Sequence, residues 1–200
     1  MKVSKEQVAE NRQAILDAAA RLFREHGFGG VGVAEITRAA GLTHGGFYRH
    51  FESKEALAAE VCTLSFERSV AKLETRFAPA DGDPSEYFRQ YLSPDHVVDA
   101  GNGCPMPTLA GDGAREHGLV PAALAEGIGL YLQRLAQHRP DGSVVEPAAA
   151  LNDADKARAI VSLSALVGGM VLARATHEAA PALSDEILQT LQRELHAFWR

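Results

Sequence analysis

The stretch "VAEITRAAGLTHGGFYRHFESKEALAAEV" (33–61) decides the fold. Val33, Ile36 and Ala40 recur at helical spacing and stop at Gly41, which reads as a short amphipathic helix with a glycine terminator. Thr43 is placed to cap a third helix running through His50 or Phe51, because Thr accepts from the free amides of a first turn. Ser53 is placed in the same way to cap a fourth, carried by Leu57, Val61, Leu64 and Leu73 to about Phe77. Two short helices joined by a glycine-containing turn form a helix-turn-helix pattern. In such a pattern the second helix enters the major groove of DNA. Towards the N-terminus, Ile15, Ala18, Ala19, Leu22 and Phe23 form one stripe of a helix from about Ser4 to Glu25, closed by Gly27. A capped helix therefore precedes the motif and another follows it at once.

Residues 43–51 carry their own geometric argument. Each residue turns a helix by about 100°. Phe47 and Phe51 then share a core side, Gly45 and Arg49 project opposite them, and His44, Tyr48, Gly46 and His50 flank the edges. The outward side has no bulk at two positions and hydrogen-bonding groups at the rest. Two glycines cost a helix about 1 kcal/mol each relative to alanine, and they let its backbone lie against a surface. That surface is either a DNA groove or another helix.

These segments resemble the TetR/AcrR family of bacterial transcriptional regulators. The resemblance rests on "ILDAAARLFREHGF" (15–28), on 33–61, and on Phe47, Tyr48, Phe51 and Lys54 within it. It implies an all-α chain with a three-helix DNA-binding domain over 1–52, joined by helix four to an effector-binding and dimerisation domain over 53–200. It implies a cytoplasmic repressor that binds a palindromic operator in double-stranded DNA as a homodimer, is released by a small-molecule effector, and needs no cofactor. Thr37, Thr43, His44, Gly45, Gly46, Tyr48, Arg49, His50 and Lys54 fall on or beside the family's DNA-contact positions. Tyr48, His50 and Lys54 are expected on phosphates, which position a protein without reading sequence. Thr37 would add a phosphate contact. His44 and Arg49 are expected to read bases, Arg49 reaching either guanine or phosphate. The chain departs from the family at Val31-Gly32, where a hydroxyl residue usually caps helix two. A looser resemblance through "YLSPDH" (91–96) and "GCP" (103–105) extends to a closing pair of helices. Their stripes, Leu163, Val167 and Val171 with Ile160, and Leu188, Leu191, Leu195 and Phe198, are expected to form a two-fold interface; intrachain core is the alternative. Effector-lining groups by the same resemblance are Phe66, Tyr87, Tyr91, Met106, Leu109, His117 and Met170. Cys104, between Gly103 and Pro105 at an expected helix start, is either a reactive thiol that triggers release or an inert packing group.

Outside the motif the reading is coarser. Ser85–Leu92, Pro105–His117 and Pro121–His138 read as helices, the last two opening on a proline. "APADGDP" (78–84), "SPDHVVDAGNGCP" (93–105) and "RPDGSVVEP" (139–147) read as loops. Asn152 or Asp153 caps a helix to about Thr176, and Ser184 caps the last. Of the 200 residues, 46% are apolar and 23% charged, a globular composition. The net charge is −6, yet residues 1–55 hold eight Lys/Arg against seven acids, so the acidity lies in the remainder. The apolar run Ile160–Ala173 is too short to span a bilayer, no signal-like segment opens the chain, and no membrane partner is expected. Two distant cysteines rule out a disulfide framework, and eight scattered histidines suggest no metal site. No P-loop, HExxH or GxSxG pattern occurs, so an enzyme is not expected. The other function class left open is a ligand-binding helical protein whose helix-turn-helix serves packing.

Overall fold

The computed structural model describes residues 4–76, 85–146 and 149–200. Helices dominate it. They are α1 (Lys5–His26), α2 (Val33–Ala39), α3 (His44–Phe47), α4 (Lys54–Arg76), α5 (Ser85–Tyr91), α6 (Pro94–Val98), α7 (Met106–Gly113), α8 (Leu119–Gln137), α9 (Asp153–His177) and α10 (Pro181–Phe198). Among the described residues, β-type pairing is confined to a single isolated bridge between His138 and Val144. The 78–84 loop and the expected helix end at Phe77 lie outside the described residues. The described chain groups into two compact units, one running to Ser65 and taking in Ala100–Gly127, the other comprising Phe66–Asp99 and Ile128–Arg200.

The first unit forms around α1. The Ser4 hydroxyl accepts from the Gln7 amide, and Gly27 ends the helix at φ +74. The face carrying Ile15, Ala19, Leu22 and Phe23 is buried. It packs with α2, and Ile36 of α2, Phe47 of α3 and Leu57 of α4 are fully buried in the same unit. Phe28 stacks edge-on against Phe23 at 5.3 Å. Gly41 makes the turn after α2 at φ +72, a region where a side chain would be strained. At the head of α4, the Ser53 hydroxyl accepts from the Ala56 amide at 3.0 Å.

The expected third helix is shorter than its sequence suggests. It is α-helical only over His44–Phe47, and Arg49, His50 and Phe51 then bond back to Gly46 and Phe47 in a tightened turn. The Gly45-Gly46 pair is the reason, since glycine gives a helix the least backbone support. Thr43 holds the N-cap position in an extended conformation but its hydroxyl makes no cap bond. The stretch read as a loop over 93–105 also contains structure. Ser93 caps α6, with Pro94 in its first turn, and a single 3-10 turn follows at Ala100–Asn102. The helix expected over Pro105–His117 ends at Gly113.

In the second unit α9 and α10 pack as an antiparallel-ordered pair in sequence, and their contact sets the core. Asn152 caps α9 by accepting from the Asp155 amide. A side chain at Gly169 would collide with Leu191, so the glycine is what lets α10 close on α9. Trp199 is buried and donates its indole N–H to the Ser162 hydroxyl at 2.8 Å. Ser184 does not cap the last helix. That helix starts a turn earlier at Pro181, and Ser184 is buried with its hydroxyl donating to the Ala173 carbonyl at 3.0 Å. Proline at a first turn has its φ already set for the helix, which shifts the start away from the better hydrogen-bonding cap.

Candidate nucleic-acid interface

The outward side of the α2–α3 region lies within the first unit and is built on two buried rings. Phe47 and Phe51 sit 5.7 Å apart and point inward. With them fixed, Thr43, His44, Gly45, Tyr48 and Arg49 are exposed, and Gly46 and His50 are half-exposed. The Tyr48 ring stands edge-on to both His44, at 5.9 Å, and Phe47, at 5.2 Å. It is 60% exposed, so its hydroxyl is held outward by packing at the ring base. Positions 45 and 46 have room around them, with nothing near a Cβ at Gly45. Arg12 stiffens the frame from behind. Its guanidinium grips Glu60 in a bidentate pair at 2.6 Å and lies 4.7 Å from the centre of the Phe51 ring.

Charge pairing sorts the cations of this unit. Arg12, Arg21 and Arg115 pair with carboxylates. Arg38 and Arg49 have no carboxylate partner among the described residues, and both are exposed. Unpaired arginines beside hydroxyl and imidazole groups form a surface suited to a polyanion.

Two expected contacts stand differently. Thr37 is 1% exposed, and its hydroxyl lies 3.0 Å from the Val33 carbonyl and 3.1 Å from that of Ala34. It bonds its own helix and faces the core, so it presents no donor to a phosphate. Lys54 is half-buried, and its ammonium donates to the Phe28 carbonyl at 2.5 Å. The Phe28 amide in turn donates to the Asp112 carboxylate at 2.9 Å. The two peptide groups that flank Phe28, just after α1, are thus each held by a charged side chain. Sequence spacing gave no sign of Asp112, which lies 84 residues from Phe28. A side chain at Gly27 would collide with that carboxylate, which explains why the helix stop is a glycine. Further ties fasten the 100–127 segment to the same unit. Arg24 donates to the Gly101 carbonyl at 2.7 Å, the Thr108 hydroxyl donates to the Arg24 carbonyl at 2.9 Å, and the Leu119 amide donates to Glu55 at 2.8 Å.

The expected effector residues divide between the units. Cys104, Met106, Leu109 and His117 belong to the first, and Phe66, Tyr87, Tyr91 and Met170 to the second. His117 is exposed between α7 and α8, so it lines no interior space. The others are buried. In the second unit the Tyr87 and Tyr131 hydroxyls bond each other, and His96 sits edge-on to Tyr91 at 4.8 Å. Burial holds the His96 imidazole below its ordinary pKa; its bond to the Tyr91 carbonyl opposes this, and Arg174, Lys72 and Arg76 reinforce it. Tyr131 is a polar-aromatic member that the sequence did not flag. Cys104 is buried, and burial pushes the Cys62 thiol up to about 12.

The expected interface stripes are also revised. Leu163, Leu188 and Leu195 are buried within the chain, and Leu191 packs on Gly169. They build the α9–α10 core. Val167 is half-buried, while Val171 and Phe198 are exposed. The outward apolar face of α9 instead runs through Ile160, Val161, Val171 and Leu172, and Leu183 and Phe198 are exposed on α10. Ser164 and Gly168 lie on the exposed part of α9 between them, so it carries no charge over that length. This double apolar character makes α9 long and apolar enough to cross a membrane by length and composition. Its inner face is accounted for by α10.

Comparison with known proteins agrees with this geometry. Residues 15–61 match the family model described as bacterial regulatory proteins, tetR family. The HTH-type transcriptional regulator AcrR of Shigella flexneri is 39% identical over 98 residues, which is 48% of this chain and 44% of that protein. The HTH-type transcriptional repressor DhaR of Mycobacterium sp. (strain GP1) is 31% identical over 93 residues, 46% of this chain and 47% of that protein. The chain thus matches less than half the length of either regulator. Over nearly the whole chain the fold is similar to that of a TetR transcriptional regulator from Chloroflexus aurantiacus, with a TM-score of 0.74, 22% identity and 96% of each chain covered. It is also similar to that of E. coli NemR in its reduced form, with a TM-score of 0.71, 20% identity, and 92% of this chain and 95% of that one covered.

Proposed function

Because the chain belongs to the tetR family of bacterial regulatory proteins, we propose that it is a cytoplasmic, sequence-specific DNA-binding repressor that works as a symmetric dimer and is released by a small molecule. The observation that carries the DNA-binding reading is the exposed set Thr43, His44, Gly45, Tyr48 and Arg49, held rigid over buried Phe47 and Phe51. In this reading the two open glycine positions let α3 approach the groove floor. Tyr48 and His50 hold phosphates, and His44 with Arg49 supplies the base contacts. Lys54 has one donor committed to Phe28. An ammonium has three, so it can hold the motif in place and still reach a phosphate.

The outward face of α9, uncharged from Ile160 to Leu172, supports dimerisation. A self-complementary apolar patch is what a two-fold interface requires, and large exposed apolar patches are rare on monomers. A dimer matches a palindromic operator whose half-sites lie about one helical turn, ~34–36 Å, apart. An effector would release DNA by favouring a different spacing of the two α3 helices. Burial of Cys104 favours a reversible ligand over thiol modification as that signal. The test is selection of duplexes from a random pool by the full chain, followed by titration at several salt concentrations. Recovery of a two-fold sequence with steep salt dependence supports the reading. Recovery of no sequence, with no duplex affinity, leaves the helix-turn-helix as a packing device.

A further inference from the structure

Beside α3 lies a cleft of about 190 Å³, lined by Leu42, Thr43, Gly46, Arg49 and His50 on one side and by Val8 and Asn11 of α1 on the other. All of it lies within the first unit. Four of its lining residues, Thr43, Gly46, Arg49 and His50, belong to the surface described above, but Val8 and Asn11 come from the opening turns of α1, to which the DNA-binding pattern gives no role. The cleft would hold about six waters at liquid density.

Its chemistry is directional. The Asn11 carbonyl oxygen accepts from Gln7 at 3.1 Å. This bond fixes the side-chain amide and leaves its NH₂ donors without an acceptor among the described residues. Arg49 has no carboxylate partner among them either, and the Thr43 hydroxyl makes no cap bond. The donors in the cleft are thus amide, guanidinium, hydroxyl and imidazole groups, and among the described residues no carboxylate lines it. Val8, 43% exposed, and Leu42 add an apolar wall. Uncommitted donors around an anion-sized space, with an apolar wall beside them, match a phosphodiester and its deoxyribose.

We propose that this cleft seats one backbone phosphodiester of the DNA per half-site, and that Asn11 donates to it. The proposal rests on the DNA-binding reading and extends the interface from α3 onto the N-terminal half of α1. Asn11 then sets how deeply α3 lies in the groove without reading a base.

The probe is the duplex recovered from the random pool by the wild-type full chain. Asn11→Asp puts a negative charge against the phosphate and should weaken binding by tenfold or more at low salt, since a bond to a charged group is worth about that much. Asn11→Lys should tighten it and steepen the log–log salt slope by about one contact. Gln13→Asp, on an exposed position of the same helix outside the cleft, is the control; read with Asn11→Asp at about 0.15 M salt as well, where charges more than about 8 Å apart are largely screened, it should change binding by less than about twofold. A neutral methylphosphonate at the seated position should erase the difference between wild type and Asn11→Asp, and at other positions should leave it. Asn11→Asp binding as tightly as wild type, while Arg49→Ala still weakens binding, would overturn the proposal and leave the DNA-binding reading intact. A changed base preference in Asn11→Asp would also overturn it, by making Asn11 a base reader. Failure of the wild type to bind any duplex in the pool would remove the DNA-binding reading itself, before any Asn11 variant is compared.

Discussion

At the scale of single residues, what distinguishes working groups from structural ones is whether their donors are already used. Thr37 shows the structural case. Its hydroxyl is spent on the α2 carbonyls, so Thr37→Val should leave DNA affinity within about twofold while a core-facing hydroxyl is lost. Tyr48 shows the other. Its ring is braced by His44 and Phe47 but its hydroxyl faces outward, so Tyr48→Phe should weaken binding to all duplexes alike, by about fivefold, as measured by fluorescence anisotropy. Loss confined to one base position would reassign it as a base reader. Asp155 is a third kind. It is 2% exposed, and hydrogen bonding from Arg139 at 3.0 Å first, then from Arg158, holds its carboxyl below the usual carboxylate range against the opposing effect of burial. A depressed folded pKa means that the unfolded chain takes up protons first as pH falls. The stabilisation is therefore full above about pH 4 and is lost as pH drops through the lower folded value. Asp155→Asn should cost about 2–3 kcal/mol at pH 7, toward the low end for breaking a buried pair because Arg139 is partly exposed. The gap between the two proteins should narrow below about pH 4. Urea midpoints across pH measure both, and a gap that stays constant would mean the pair contributes no linkage.

At the scale of elements, the turn after α1 shows how one stop signal is over-determined. Gly27 sits at φ +74 directly beneath the Asp112 carboxylate, which accepts from the Phe28 amide, and Lys54 holds the Phe28 carbonyl in the next peptide group. Gly27→Ala should destabilise the chain by about 2 kcal/mol, from the left-handed backbone and the displaced carboxylate together. Gly129→Ala should instead stabilise it slightly, since nothing lies near its Cβ in α8 and alanine is the better helix residue. Thermal melting of both variants checks the contrast, and equal shifts would mean the turn has room to relax. Only half of this turn could be read from sequence. A glycine after Phe23 and His26 announces a helix end, but its partner Asp112 lies in a distant segment that local pattern does not reach. The same limit explains the other elements. α1 and α9 are long, capped and periodic, so their ends came within a residue or two, as did the start of α4. The pattern at 43–51 is shortened by its own glycines, five-residue α6 is too brief to show a period, and Pro181 starts α10 ahead of a better-looking cap at Ser184. On α3 the outward residues could be read because two phenylalanines fix the rotation. The effector residues could not, because buried tyrosines and methionines look the same in sequence whether they line a ligand site or fill a core.

At the scale of the whole molecule, α9 carries apolar residues on two faces, and periodicity alone cannot say which face its own chain covers. Leu163 looks inward, and on α10 so do Leu188 and Leu195, with Leu191 against Gly169; Ile160, Val161, Val171 and Leu172 look outward with Leu183 and Phe198. Charge placed on the two faces should therefore have opposite consequences. Leu195→Glu buries an unpaired carboxylate at a site 3% exposed and should unfold the second unit, because a buried charge without a partner costs several kcal/mol. Val161→Glu with Leu172→Glu changes side chains that are half exposed in the single chain, 50% and 56% respectively. That double variant should keep its helical circular dichroism and its melting cooperativity at micromolar concentration, yet run as a monomer by light scattering. Its duplex affinity should fall steeply, because each monomer then engages one half-site alone and loses the effective concentration that a dimer supplies to the second. Affinity for a duplex carrying only one half-site should be unchanged, which separates loss of dimerisation from damage to α3. A double variant that still scatters light as a dimer would place the two-fold contact on another surface. One that fails to fold would mean that this face is covered by its own chain.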